Sequence, residues 1–213
     1  MENLEKKIAQ SLLQIKAIKL QPTNPFTWAS GWKSPIYCDN RKTLSYPSVR
    51  SQIRDGFVEV IKKEYGTPDV IAGVATGAIA IGMLVAEAMG LPFVYVRPKP
   101  KEHGLGNMIE GEIPEGKKVV VIEDLISTGK SSLNAVEALR KANVGVLGMV
   151  AIFTYGFSLS EQNFKEANVT LNTLSNYRVL IKTALESGYI KDEDIKILEN
   201  WRVTPSNWEN KLV

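Results

Sequence analysis

The residues with the clearest chemical potential form one stretch, VVVIEDLISTGKSS, at residues 119–132. It joins an apolar run to two adjacent acids, Glu123 and Asp124, and then to a hydroxyl-rich turn that contains Gly129. Its Gly-Lys-Ser end is typical of nucleotide-binding P-loops, which also need a glycine five residues before Gly129. Asp124 stands at that position, and a carboxylate there would repel phosphate. The sequence therefore excludes a P-loop.

A different chemistry fits the same residues. We expect a strand that ends in the two acids, and then a turn over 127–131 that opens a helix. Free backbone N–H groups and hydroxyls at a helix N-terminus can hold one phosphate monoester. The acids can then accept hydrogen bonds from sugar hydroxyls, so ribose 5-phosphate fits both parts. The alternative is a plain helix cap by Ser127 or Thr128, with the acids as solvated charges.

The stretch resembles the phosphoribosyl-pyrophosphate (PRPP) signature of type I phosphoribosyltransferases. A second glycine turn, GVATGAIAIG from Gly73, follows a predicted strand and can offer backbone N–H groups to pyrophosphate. Close helix–strand packing is the alternative reason for its small residues. The resemblance and this turn together predict PRPP contacts at Thr76, Gly77, Glu123, Asp124, Leu125, Ile126, Ser127, Thr128, Gly129, Lys130 and Ser131.

Two further segments resemble one branch of that family, the orotate phosphoribosyltransferases. They are the loop RPKPKEHG, which begins at Arg97, and the segment SGWKSPIYCDNR at residues 30–41. The resemblance implies transfer of the 5-phosphoribosyl group from PRPP to orotate, giving orotidine 5′-monophosphate and pyrophosphate, as in pyrimidine synthesis. It implies catalytic roles for Lys101 and Asp124. It also implies that Arg97, Lys101 and His103 bind PRPP, because cations must meet the charge that builds on the departing pyrophosphate.

Orotate needs a ring pocket and a cation for its carboxylate. The resemblance makes Ser127 a base contact, Tyr37 can stack on the ring, and Arg41 and Lys33 are the candidate cations. Many family members have basic residues where this chain has Ala29, Gly77 and Pro98, and an arginine where it has FTYGF at residues 153–157. The choice of cation for the carboxylate therefore stays open.

The resemblance also implies a cofactor and a partner. Mg²⁺ would arrive bound to PRPP, with no direct protein ligand and at most a water-mediated contact to Glu123 or Asp124. The catalytic loop, residues 98–116, would reach into the site of a neighbouring subunit, which predicts a homodimer.

The elements that must position these residues alternate along the chain. Continuous apolar runs between helical patterns predict an α/β fold, with a mostly parallel twisted sheet and helices on both faces. Residues 1–213 would form a single domain, and residues 1–50 would contribute a small cap over the site. The predicted strands are 68–75, 91–97, 117–124, 144–153 and 169–174, and the predicted helices are 77–90, 127–143 and 160–168.

Composition and charge limit the partners and the cellular location that we expect for the chain. The chain has 213 residues, 44% of them hydrophobic, a net charge of +3 and one cysteine, Cys38. This balance is too weak to imply nucleic acid, and the single cysteine fits a reducing, cytoplasmic location. Glycines interrupt the longest uncharged run, residues 70–86, so we expect no membrane span. A purine phosphoribosyltransferase and a PRPP-sensing regulator are the alternative functions. The segment at 30–41 argues against the first, and the basic loop against the second.

Overall fold

The computed structural model describes residues 2–28, 30–99 and 107–208. Within these ranges the chain forms α-helices, short and long strands and one 3₁₀ helix (Asn40–Ser45). The helices are α1 (Glu2–Gln14), α2 (Pro47–Glu64), α3 (Ile79–Met89), α4 (Lys130–Lys141), α5 (Ser158–Glu166), α6 (Tyr177–Glu186) and α7 (Asp192–Val203). The strands are β1 (Ile18–Leu20), β2 (Phe26–Thr27), β3 (Lys33–Ser34), β4 (Ile36–Cys38), β5 (Val70–Val74), β6 (Phe93–Val96), β7 (Ile109–Glu110), β8 (Lys118–Ile126), β9 (Gly145–Thr154) and β10 (Leu171–Asn176).

The central sheet has six strands in the order β10-β9-β8-β5-β6-β7. Its neighbouring strands run parallel, except that β7 is antiparallel to β6. The α/β prediction with a mostly parallel sheet is therefore confirmed. In such a sheet the carboxyl ends of the strands share one edge, which is where ligands bind. The turns after β5, β6 and β8 lie at this edge.

Strand β8 shows why its apolar run is continuous. Val120 and Ile122 belong to the core formed with α1, α2, α3 and α6, on one face of the sheet. Val119 and Val121 belong to the core formed with α4 and α5, on the other face. Successive side chains of a strand point to opposite faces, so a strand that is covered on both sides must be apolar throughout.

Two helices begin later than the sequence pattern predicts. Helix α4 begins at Lys130 rather than at residue 127, and α3 begins at Ile79 rather than at residue 77. Gly129 has a φ of 79°, in the left-handed region, which a helix interior does not accept. The residues before each helix form turns at the ends of β8 and β5. These turns carry the motif residues.

The predicted loop 98–116 contains a short strand. Residues 109–110 form β7, and the Arg97 N–H donates to the Met108 carbonyl at 2.8 Å. The prediction of an unbroken loop is wrong at these two residues, because a pair of residues is too short to show a strand pattern. The loop therefore leaves and rejoins the sheet next to Arg97.

The segment between α1 and α2 forms small antiparallel pairs outside the central sheet. Strand β1 pairs with β4, and β2 pairs with β3 as a hairpin. The Trp201 Nε1–H of α7 donates to the Lys33 carbonyl at 3.3 Å, which fixes the hairpin to the end of the chain. Helix α1 packs against α6 and β10. The assignment of residues 1–50 to a cap stays a prediction.

The C-terminal part forms the helices α6 and α7. Trp201 of α7 is fully buried, and Trp208 packs against the core. Trp201 lies within 5.7 Å, between ring centroids, of Trp28 and Tyr155. In the part of the chain that is described, no helix has the length and apolar character needed to cross a membrane.

Candidate active site

The two acids at the end of β8 have different surroundings. The Glu123 side chain is buried and accepts a hydrogen bond from the Ser132 hydroxyl of α4 at 2.7 Å. The Asp124 carboxylate lies against Gly77 in the turn after β5, and it is also close enough to the Glu123 carboxyl group to interact with it directly. The two acids therefore form a neighbouring pair whose members differ in burial.

Glu123 is held in a fixed position by two donors. Its Oε2 atom accepts from Ser132, and its Oε1 atom accepts from the backbone N–H of Asp124 at 2.9 Å. Burial, and then the neighbouring Asp124 carboxylate, raise the pKa of Glu123 to about 8. Burial therefore favours the neutral form of Glu123, whose two oxygens are held at the strand end by Ser132 and by the Asp124 N–H.

The turn after β8 is shorter than predicted, because β8 continues to Ile126, two residues beyond the acids, and Lys130 and Ser131 already belong to α4. The N-cap of α4 is Gly129, so a backbone position rather than a hydroxyl side chain caps this helix. The Asn163 amide donates to the Thr128 carbonyl at 2.9 Å, and a Cβ atom at Gly129 would lie 2.6 Å from the Phe164 ring. The first backbone N–H groups of a helix have no partner within the helix. Those of α4 lie where the sequence predicts the 5-phosphate.

The turn after β5 lies beside Asp124. Its backbone is closed by hydrogen bonds from Ala78 N–H to Val74 O at 3.0 Å and from Ile79 N–H to Thr76 O at 3.3 Å. A Cβ atom at Gly77 would overlap the Asp124 carboxylate. Gly77 is thus required for the close approach of this turn to the acid. The predicted contact of Gly77 with pyrophosphate stays a prediction.

A cavity of about 350 Å³ joins these parts. It brings together the end of β4, the turn after β5, the end of β8 and the start of α4. A larger cavity of about 490 Å³ lies between α6 and α7, and none of the predicted site residues lines it. The residues that line the 350 Å³ cavity are Cys38, Asp39, Arg41, Val74, Ala75, Thr76, Gly77, Glu123, Asp124, Leu125 and Ser131.

The candidate orotate residues separate into two groups. Arg41 lines the cavity, and its Nε–H donates to Asp39 Oδ1 at 2.7 Å. This hydrogen bond lowers the pKa of Asp39, which therefore holds the guanidinium as a carboxylate. Tyr37 contacts Phe26, with ring centroids 5.6 Å apart, and Lys33 donates to Thr27 Oγ1 at 2.7 Å. Neither of these two lines the cavity.

The three candidate cations of the catalytic loop are Arg97, Lys101 and His103. Arg97 follows β6, and its Nη1 atom lies 3.4 Å from Glu110 Oε1 of β7. Lys101 and His103 lie outside the described residues. No group of three or more His, Cys, Asp or Glu side chains that could hold a metal ion occurs among residues 2–28, 30–99 and 107–208.

Three consecutive residues at or next to the cavity were not predicted as site residues from the sequence. Cys38 and Asp39 line the cavity, and Asn40 follows them with its side chain turned toward β8. All three stand inside the segment SPIYCDNR, which carried the resemblance. Their type alone gave no signal, because a buried amide that binds a distant backbone carbonyl has no pattern in the sequence.

Known proteins resemble this chain in sequence and in fold. The model of the "Phosphoribosyl transferase domain" matches residues 46–187. The orotate phosphoribosyltransferases of Phocaeicola vulgatus and Porphyromonas gingivalis are 61% and 59% identical to this chain, over 98% of it and 99% of each relative. The crystal structure of orotate phosphoribosyltransferase from Aeropyrum pernix has a TM-score of 0.74 at 27% identity, over 86% of this chain and 99% of that one.

The domain match and the fold define a phosphoribosyltransferase. Within that class, the chain belongs to the orotate phosphoribosyltransferase family, since its curated relatives match it over nearly its whole length. The prediction of this family and of an enzyme is confirmed. The roles of the individual residues are not tested by these comparisons.

Proposed function

We propose that this chain transfers the 5-phosphoribosyl group of PRPP to orotate in the 350 Å³ cavity. The observation that carries the proposal is the juxtaposition of the Asp124 carboxylate with the Gly77 turn. A sugar acceptor and a pyrophosphate-binding turn must be neighbours, because the ribose and its leaving group are joined at C1. The start of α4 lies at the same cavity through Ser131, on the side where the 5-phosphate belongs.

PRPP is proposed to lie along this edge of the sheet. Its 5-phosphate would be held by the turn at 127–131, with the N–H groups at the start of α4 as donors. Its ribose hydroxyls would donate to Asp124. Its pyrophosphate would lie over the turn of Thr76 and Gly77 and meet Arg97 and the loop cations. The single charge beside the sugar is consistent with the protonated state of Glu123.

Asp124, at the end of β8, is the proposed catalytic carboxylate. Positive charge develops on the ribose ring as pyrophosphate leaves, and a fixed carboxylate beside the ring stabilises it. Glu123 would hold the strand end in place, since both of its oxygens are already engaged by Ser132 and by the Asp124 N–H. Lys101 would stabilise the departing pyrophosphate from the loop.

Arg41 is the proposed partner of the orotate carboxylate. It is the cap cation that lines the cavity, and Asp39 engages its Nε–H, which leaves its terminal N–H groups for a ligand. Ser127 would contact the base, and Tyr37 would form the outer wall of the ring pocket. Lys33 is the weaker candidate, because its ammonium is engaged by Thr27.

Mg²⁺ is proposed to enter with PRPP. The carboxylates at the cavity are Asp39, Glu123 and Asp124, and the first is engaged by Arg41 while the second is mostly protonated. This donor set suits an ion that takes most of its ligands from phosphate and water. When bound, the ion neutralises charge on the pyrophosphate.

A homodimer that shares the loop 98–116, and a cytoplasmic location, complete the proposal. The loop begins beside Arg97 at the edge of the sheet, where β7 is the outermost strand. We propose that the loop, which is anchored at this outer strand, reaches past its own subunit.

The direct test mixes the protein with orotate and PRPP, with and without Mg²⁺, and follows the loss of orotate absorbance. We expect formation of orotidine 5′-monophosphate that depends on Mg²⁺. Adenine, hypoxanthine, xanthine and uracil serve as matched controls. If one of these bases is consumed and orotate is not, the proposal fails. Asp124→Asn should retain the fold and lower kcat by about two to three orders of magnitude, as expected for loss of a transition-state charge contact.

A further inference from the structure

One buried amide connects the segment at 30–41 to the strand that carries the acids. Asn40 is 1% exposed, although it follows the cavity residues Cys38 and Asp39 directly. Its Nδ2–H donates to the backbone carbonyl of Asp124 at 2.6 Å. The two residues are 84 positions apart, and this is a short hydrogen bond between two groups that water does not reach well.

The other end of the same amide is also engaged. The Cys38 thiol donates to Asn40 Oδ1 at 3.3 Å. Burial, and then the charges of Asp124 and Asp39, raise the pKa of the Cys38 thiol, which keeps it a donor. A donor at Oδ1 fixes the orientation of the amide, so that Nδ2 faces the Asp124 carbonyl. The backbone carbonyl of Asn40 also accepts a hydrogen bond, from the Thr43 hydroxyl at 2.6 Å.

The 3₁₀ helix that begins at Asn40 is fixed at a second point. The Lys42 ammonium donates to the carbonyls of Ile15 and Lys16 at 3.1 Å each, just after α1 ends. General anchoring of this segment therefore comes from the turn that follows α1. The bond from Asn40 differs in its target, because it reaches the residue whose side chain faces the cavity.

We infer that Asn40 is a positioning residue for Asp124 and Arg41. Its amide sets the distance between the segment that carries Arg41 and the strand end that carries the acid, and it therefore sets the gap in which sugar and base must meet. A carboxylate in place of the amide would turn an oxygen lone pair toward the Asp124 carbonyl, so that the two oxygens would repel each other and the hydrogen bond would be lost. This inference rests on the proposed role of Asp124.

The test compares two variants. Asn40→Asp keeps the shape and the acceptor for Cys38 and removes the donor to Asp124, whereas Asn40→Ala removes both. We expect both to lower kcat by about 10- to 100-fold, the scale of a small misplacement of a catalytic group. KM for PRPP should change less than kcat. Alkylation of Cys38, the single cysteine, should become faster in Asn40→Ala and not in Asn40→Asp.

Lys42→Met is the matched control, since it frees the same 3₁₀ helix from α1 without touching the Asn40 amide. We expect it to lower Tm and to retain kcat. If Lys42→Met loses as much kcat as Asn40→Asp, or if Asn40→Asp keeps full kcat, the inference is overturned. Failure of the wild-type protein to consume orotate would instead remove the proposed function, and the alkylation comparison would still test the bonds of Asn40.

Discussion

The backbone of Gly77 lies directly against the carboxylate of Asp124, so that a Cβ atom at residue 77 would overlap that group. We expect Gly77→Ala to displace the carboxylate and to lower kcat/KM by about 100-fold, because a misplacement of a catalytic group by about 1 Å can lower the rate by this factor. Steady-state kinetics with orotate and PRPP give the measurement.

Gly145→Ala is the control for Gly77→Ala. It lies in the same sheet, and its added Cβ would meet the Lys117 carbonyl at an ordinary 3.6 Å. Its activity should equal that of the wild type. Full activity of Gly77→Ala would mean that the Asp124 carboxylate can move without consequence for the reaction.

The raised pKa of Glu123 predicts a stability effect with a definite sign. Folded Glu123 keeps its proton up to about pH 8, whereas an unfolded glutamate loses it near pH 4.5. The folded state binds more protons in this window, so the contribution of Glu123 to stability is lost as pH rises from about 4.5 to 8. Glu123→Gln cannot titrate. We expect the Tm of this variant, relative to that of the wild type, to rise steadily from pH 5 to pH 8 when both are measured without ligands.

Glu137→Gln provides the comparison for Glu123→Gln. The Glu137 carboxylate pairs with Lys141 on α4, which lowers the pKa of Glu137. Its stabilisation is present above the ordinary glutamate pKa and is lost only on acidification. Its Tm difference should therefore stay flat from pH 6 to pH 8. A flat difference for Glu123→Gln as well would show that Glu123 is ionised in the folded protein.

Arg41 gives a prediction on substrate recognition. We expect Arg41→Met to raise KM for orotate by about 10- to 100-fold, the range that corresponds to one hydrogen-bonded charge contact. KM for PRPP should change much less. Lys33→Met is the matched control and should leave both values near those of the wild type. A large effect on orotate in Lys33→Met alone would assign the carboxylate to Lys33.

The shared loop can be tested by mixing two inactive variants. Lys101→Ala should lower kcat by about two to three orders of magnitude, through loss of charge stabilisation on pyrophosphate. If the loop reaches the partner's site, dimers that combine Lys101→Ala with Asp124→Asn hold one intact site. Co-refolded mixtures should then recover roughly a quarter of wild-type activity. The variants refolded separately are the control, and absence of recovery would place loop and acid in the same subunit's site.

The fold could be predicted where an apolar run is followed directly by turn residues. Strands β5, β6, β8 and β9 are apolar runs, and the predicted glycine turns follow β5 and β8 at the carboxyl edge of the sheet. The start of α4 was placed three residues early, because the turn residues also suit a helix start. Strand β7 was not predicted, since two residues carry no periodicity.

The site was less predictable, because it depends on contacts between distant residues. The protonated state of Glu123 requires burial beneath Ser132, which only the packing of α4 on β8 provides. The bond from Asn40 to Asp124 joins residues that no local pattern connects.

The bond from Trp201 to the Lys33 carbonyl has a consequence for the order in which the protein is made. Every residue of the described cavity lies before position 132, so a ribosome synthesises the whole cavity before it reaches α7. The hairpin of β2 and β3 gains the anchor from Trp201 only when α7 has left the ribosome. This hairpin is therefore fixed after the cavity residues have been made, and a chain that stops short of Trp201 would carry the site without that support.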